Sequence, residues 1–122
     1  MGMGDVTQSV TPKFGIVAPA RGGGTVATRY FMPWKTHPTM AVTGAQCLAS
    51  CVLTPGTVAD VPTPNAHPAN ITLEHASGQI DVLVDYTRTD AGITINSAGL
   101  VRTARKLAAG HVFVPGAVWR GN

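Results

Sequence analysis

From Thr39 to Thr54 the chain reads TMAVTGAQCLASCVLT, a stretch without a single charged side chain. Pro38 precedes it and Pro55-Gly56 follows it, and neither continues a helix. Thr39 and Thr43 are both of a type that caps a helix, which leaves two possible starts. Ala41, Val42, Ala45, Cys47, Leu48, Ala49, Cys51, Val52 and Leu53 leave no polar stripe at helical spacing, and Gln46 and Ser50 interrupt them without charge. A helix that is apolar all round needs protein or lipid about it, and this one is too short for a bilayer. The expectation is a helix enclosed by the rest of the protein.

The flanking sequence supplies strands for that enclosure. KFGIVAP, ARGGG and TVATRYFM read as strand, Gly-rich turn and strand. PWKTHP reads as a tight loop. Gly56 to Asn70 is a Pro-rich link, with Pro62, Pro64 and Pro68 holding it extended. ITLEHA is a further strand with Ser77-Gly78 as its turn. QIDVLVDYT alternates, with Ile80, Val82, Val84 and Tyr86 on one side. RTDAG turns the chain again and ITINSAG returns it. LVRTARKLAAGHVFVP is ambiguous: Leu100, Val101, Ala104, Leu107 and Ala108 fit a helical period, whereas HVFVP reads as strand. One helix and six or seven strands predict an α+β fold, an antiparallel β-barrel or roll wrapped around one central apolar helix. Residues 1–12 read as a lead-in segment, and 13–122 as a single domain.

The chain has 122 residues, room for one domain and a modest core. Charged residues are only 12%, about half the usual share, so part of the surface is expected to be covered by a partner subunit or by further chain. The net charge of +3 and 6% aromatics lack the basic, aromatic-interleaved stripe of nucleic-acid binders, and no nucleic-acid partner is expected. No signal-peptide pattern and no membrane-length apolar run is present. The expectation is a reduced, cytoplasmic protein without membrane partners. Cys47 and Cys51 lie on one helix face, where disulfide geometry is hard to meet. With His37 they make an incomplete set for structural zinc, so no metal is expected and both cysteines read as small apolar core residues.

Four segments, HPTMAVTGAQCLA, PGTVA, LEHASGQIDVLV and GLVRTARKLAAGHVFVP, together resemble the C-terminal half of the PrpF-type isomerases, which include methylaconitate isomerases and 4-oxalomesaconate tautomerases. The resemblance runs from about Gly2 to Pro115. It implies a diaminopimelate-epimerase-like fold, in which two similar halves each wrap a barrel around a helix and face each other across the active-site cleft. It also implies cofactor-independent isomerisation of an unsaturated di- or tricarboxylate. The family's principal catalytic Cys and Lys belong to the N-terminal half, which this sequence does not contain. The related epimerases carry a second Cys just before the turn that opens the helix, where this chain has Met40-Ala41-Val42. The chain therefore reads as one wall of an active site, inactive alone, with no assignable catalytic residue.

A helix N-terminus offers unpaired N–H groups and a partial positive charge to an anion. Thr43, Gly44 and Ala45 are the expected carboxylate cradle, with Gly44 admitting the ligand close to the backbone, against a plain helix cap with a small residue where the barrel wall comes close. His37, just ahead of the helix, is either a cleft residue or a loop residue. Ser77 and Gly78, after His75, match a family segment near the cleft and are further candidates for substrate binding, against a plain hairpin turn. Arg21, Arg29, Arg102 and Arg105 are anion partners if they face inward. The expected partners are a small carboxylate and either a second copy or a complementing N-terminal half. The reading from another functional class is a non-catalytic interaction domain that oligomerises through an open sheet edge.

Overall fold

Strict alternation in the long strand after Gly78 decides which face of the sheet is apolar. The computed structural model describes residues 2–62 and 65–120. It contains β1 (Phe14–Pro19), β2 (Val26–Met32), β3 (Lys35–Thr36), α1 (Val42–Leu53), β4 (Ala69–His75), β5 (Gly78–Thr89) and β6 (Gly92–Leu100). The strands form one sheet in the order β1-β2-β4-β5-β6, with β3 folded back onto the far end of β2. Every pairing is antiparallel except β2 with β4, where only Val26↔Leu73 and Ala27↔Glu74 meet in parallel.

Val82, Val84 and Tyr86 of β5 are buried, as are Ala69, Ile71 and Leu73 of β4. Their odd–even spacing puts them on one face of the curled sheet. The helix meets this face through Ala45, Ala49, Val52 and Leu53. Ala45 and Ala49 are one turn apart and both fully buried, so the helix axis comes close to the strands before the larger Val52 and Leu53 fill the space. Each buried branched side chain contributes about 1.5–3 kcal/mol.

The α+β architecture and the three hairpins β1–β2, β4–β5 and β5–β6 match the sequence reading, and three details differ. The enclosure of the helix is partial: the sheet curls over one side, and Val42, Thr43 and Cys47 remain exposed on the other. Cys47 is thus a surface thiol and Cys51 a half-buried one, both free, rather than core filler. The reason is that β1 and β6 never meet, so the sheet stays an open half-barrel. The loop PWKTHP contains a short strand, β3, because Pro33-Trp34 makes a tight turn that returns Lys35 and Thr36 to the β2 edge.

The third difference lies at the C-terminal side. Beyond Leu100, which ends β6, VRTARKLAAGHVFVP forms neither the helix nor the strand that its pattern allows. The last ladder-like bond runs from Val101 N–H to the Asp81 carbonyl at 3.0 Å. Residues 102–115 carry no regular element and are exposed throughout. A strand needs a partner edge, and this segment meets none among the described residues.

Gly44 sits where the sheet wall comes close to the helix, the alternative to its cradle role. A Cβ there would lie 2.7 Å from Cε2 and 2.9 Å from Cζ of Tyr30. The ring of Tyr30 therefore packs flat against the first turn of α1. Gly44→Ala adds about 0.5–1 kcal/mol of helix propensity, but overpacking typically costs about 1–3 kcal/mol. The expected outcome is net destabilisation of about 1 kcal/mol in urea unfolding. The same substitution made together with Tyr30→Ala should no longer lower stability relative to Tyr30→Ala alone.

Candidate functional site: the open tip of the helix

The two ends of α1 are treated differently. At its C-terminal end, side chains cover the free carbonyls. Thr54 Oγ1 donates to Ser50 O at 2.8 Å, Thr57 Oγ1 to Cys51 O at 2.6 Å, and Arg88 to Leu53 O at 3.3 Å. At its N-terminal end the cap residue is Ala41, no side chain caps the helix, and no acid lies in the first turn. Neither Thr39 nor Thr43 is the cap, contrary to both sequence-based starts.

The first intrahelical bond runs from Ala45 N–H to Ala41 O at 2.8 Å. The N–H groups of Val42, Thr43 and Gly44 therefore have no helical partner, and the positive end of the helix dipole faces outward. This corrects one member of the expected cradle. Ala45 is fully buried and its amide is engaged, so the available set is one residue earlier, Val42-Thr43-Gly44.

Beside this tip lies a cavity of about 670 Å³ lined by Thr39, Met40, Val42, His75, Gln79, Ile80, Leu100 and Arg102. Arg102 reaches it because β6 ends at Leu100, and the next residue is tied to β5 at Asp81. His75 reaches it from the end of β4. Burial pushes the His75 imidazole below its ordinary value; the Gln79 backbone opposes this, and the positive fields of Arg29 and His37 push it further down. His75 thus gives up its proton more readily than a free imidazole, in a pocket that also holds Arg102. Its Nδ1 accepts the Ser77 N–H at 3.2 Å, which assigns the ring proton to Nε2 in the neutral form.

The other sequence candidates lie outside the cavity lining. His37 Nδ1 accepts the Thr39 N–H at 3.1 Å, and its ring meets Tyr30 edge-on at 6.4 Å between centroids. Ser77 Oγ donates to the Pro38 carbonyl at 2.7 Å. Gly78 adopts φ +143°, a conformation that favours glycine at this turn. Ser77 therefore fastens the β4–β5 turn to the segment that leads into α1. The expected site residues Thr43, Gly44, Ala45, His37, Ser77 and Gly78 do not line the cavity, which the first turn of α1 touches through Val42, and the Ser77 hydroxyl proton is already used.

A second hollow of about 380 Å³ is lined in part by Arg21, Arg29, Glu74 and His75. It is the weaker anion site, because its cations face an internal carboxylate. Glu74 accepts N–H bonds from Arg21 at 2.9 Å, Gly22 at 2.6 Å and Gly24 at 2.8 Å. These bonds hold its carboxyl below the usual range. A Cβ on Gly24 would lie 2.6 Å from Glu74 Cγ. The glycine-rich turn is therefore a carboxylate nest filled from within. The sequence shows the glycines, but nothing in it marks a partner fifty residues away. Arg105 lies on the exposed segment and lines neither hollow. No group of three or more metal-ligating side chains occurs among the described residues. No helix there is long and apolar enough to cross a membrane.

The lowered value of His75 has a signed consequence. The unfolded chain takes up the His75 proton more readily than the folded one, so stability is full above an unfolded value of about 6.5. It declines as pH falls through the depressed folded value. His75→Gln should flatten that part of a stability–pH curve measured by urea unfolding.

In this α+β half-barrel the uncapped tip of α1 lies beside a cavity that also holds His75 and Arg102. The chain belongs to the PrpF protein family, which it matches over residues 1–115. It is 40% identical over 115 residues to the YbhH protein of Escherichia coli strain K12, covering 94% of this chain and 32% of that protein. It is 41% identical over 116 residues to the (4E)-oxalomesaconate Delta-isomerase of Novosphingobium sp. strain KA1, covering 93% and 32%. It is 37% identical over 123 residues to the 4-oxalomesaconate tautomerase of Pseudomonas putida KT2440, covering 99% and 33%. The chain thus spans about a third of the length of these relatives, some of which are isomerases or tautomerases.

Proposed function

We propose that this chain forms one wall of an isomerase or tautomerase site for unsaturated di- or tricarboxylates, within a diaminopimelate-epimerase-like architecture. The observation that carries the proposal is the uncapped tip of α1 opening into the cavity with His75 and Arg102. One substrate carboxylate sits on the amides of Val42, Thr43 and Gly44, with the Thr43 hydroxyl as a further donor. Arg102 pairs with a second carboxylate from the cavity wall. Fixed donors of this kind stabilise the charge that develops when a proton leaves a carbon next to a carboxylate. The proton then returns at another carbon of the allylic system, and no cofactor is required.

The acid and base that move the proton are assigned to the part of the relatives that this chain does not match, so the chain alone is expected to bind without turnover. Titration with aconitate, followed by amide NMR, tests the reading. Shifts at Val42 to Gly44 with micromolar to millimolar affinity support it. Unchanged amides at saturating millimolar ligand overturn it.

A further inference from the structure

We infer that Ser77 is a positioning residue of the proposed carboxylate site: its hydroxyl sets the spacing between the segment entering α1 and the cavity wall that carries His75. The inference rests on the reading of the α1 tip as that site. It adds a role that needs no contact with the ligand.

Three stretches of chain line the cavity beside the tip. Thr39, Met40 and Val42 come from the entry segment and first turn of α1, His75, Gln79 and Ile80 from the β4–β5 hairpin, and Leu100 and Arg102 from the end of β6. Their groups converge on one small ligand only if each stretch holds its place against the others. Two of the three junctions belong to the body of the fold. The end of β6 is laddered to β5 as far as Val82↔Leu100, and the Val101 N–H continues to the Asp81 carbonyl at 3.0 Å. Gln46 Nε2 ties α1 to β6 by donating to the Ala98 carbonyl at 2.7 Å.

The third junction, between the hairpin and the entry segment, has no ladder. Met40 is buried, whereas Pro38 and Thr39 are exposed, so core packing does not fix them. Among the described residues, the hydrogen bond that crosses this junction runs from Ser77 Oγ to the Pro38 carbonyl at 2.7 Å. Ser77 holds the other side as well, because its N–H donates to His75 Nδ1 at 3.2 Å. Thr39, next after Pro38, is oriented in turn by its N–H on His37 Nδ1 at 3.1 Å. One residue thus registers the imidazole against the chain that enters α1. Without its hydroxyl the junction spreads over several spacings, and apparent affinity falls with the fraction of molecules that keep the binding one.

The test titrates the unaltered chain, Ser77→Ala and Ser77→Thr with aconitate while the amides of Val42, Thr43 and Gly44 are followed by NMR. Ser77→Ala should weaken binding about three- to tenfold, the change expected for one net hydrogen bond. Its urea midpoint should stay close to that of the unaltered chain, since Ser77 and Pro38 are both exposed. The ¹⁵N shifts of the His75 ring should also hold, because the Ser77 N–H remains. Ser77→Thr keeps the hydroxyl and should restore affinity. Binding that Ser77→Ala leaves unchanged overturns the inference and leaves the ligand site standing. So does a loss that Ser77→Thr fails to restore, or one matched by a fall in the urea midpoint. Amides of the unaltered chain that ignore aconitate remove the site itself, and the inference with it.

Discussion

Leu73→Ala should lower the unfolding free energy by about 2–5 kcal/mol, a large share of the roughly 5–15 kcal/mol that holds a domain of this size together. Leu73 is fully buried at the middle of β4. It faces Ile80 across one ladder and Val26 across the other. Both neighbouring strands are therefore fixed in position, and neither can slide in to fill the space. Leu83 is the control: it sits on the opposite face of β5 and is 40% exposed, so Leu83→Ala should change stability by less than about 0.5 kcal/mol. Urea unfolding of the two variants side by side checks both values. Equal losses would mean that the sheet's two faces are not divided as described.

Arg102→Ala should weaken binding of a tricarboxylate about 10- to 100-fold, the loss expected when a charge-assisted hydrogen bond worth about 1.5–3 kcal/mol is removed. Arg102 projects from the chain just after β6 and contributes to no buried cluster, so the unfolding midpoint should stay unchanged. Isothermal titration calorimetry at two salt concentrations separates this from a loss of fold. The wild-type affinity should fall with added salt more steeply than that of the variant. Binding should also strengthen between about pH 7 and pH 5, as His75 gains a proton beside the bound anion. An affinity insensitive to Arg102 would place the ligand elsewhere.

Much of this fold was legible wherever a period was clean. The alternation of Ile80, Val82, Val84 and Tyr86 located the inner face of β5. Pro38 and Pro55-Gly56 bracketed the helix to within a few residues. What the sequence hid is what depends on distant partners. The apolar run suggested a fully surrounded helix, because counting apolar residues cannot tell a core position such as Ala49 from a surface position such as Cys47. HVFVP has the composition of a strand, yet composition does not create an edge to pair with. The start of the helix was legible to within two residues from Pro38, Thr39 and Thr43, but neither threonine caps it; the cap is Ala41, so the amides left without a helical partner are those of Val42, Thr43 and Gly44. Arg102 stood out only as one basic residue among several; the β5–β6 ladder, not its sequence neighbours, brings it to the cavity.

The joint between β2 and β4 has one more implication. Only two ladder pairs join the β1–β3 portion to the remainder of the sheet, and the helix rests mainly on β4, β5 and β6, meeting the leading portion at the Tyr30–Gly44 contact. The leading arm is therefore hinged on a narrow seam and latched by Glu74 in its nest of amides. Protonating that latch should release the arm before the body melts. Hydrogen exchange in acid should accordingly speed up across residues 14–36, while residues 69–89 keep their protection.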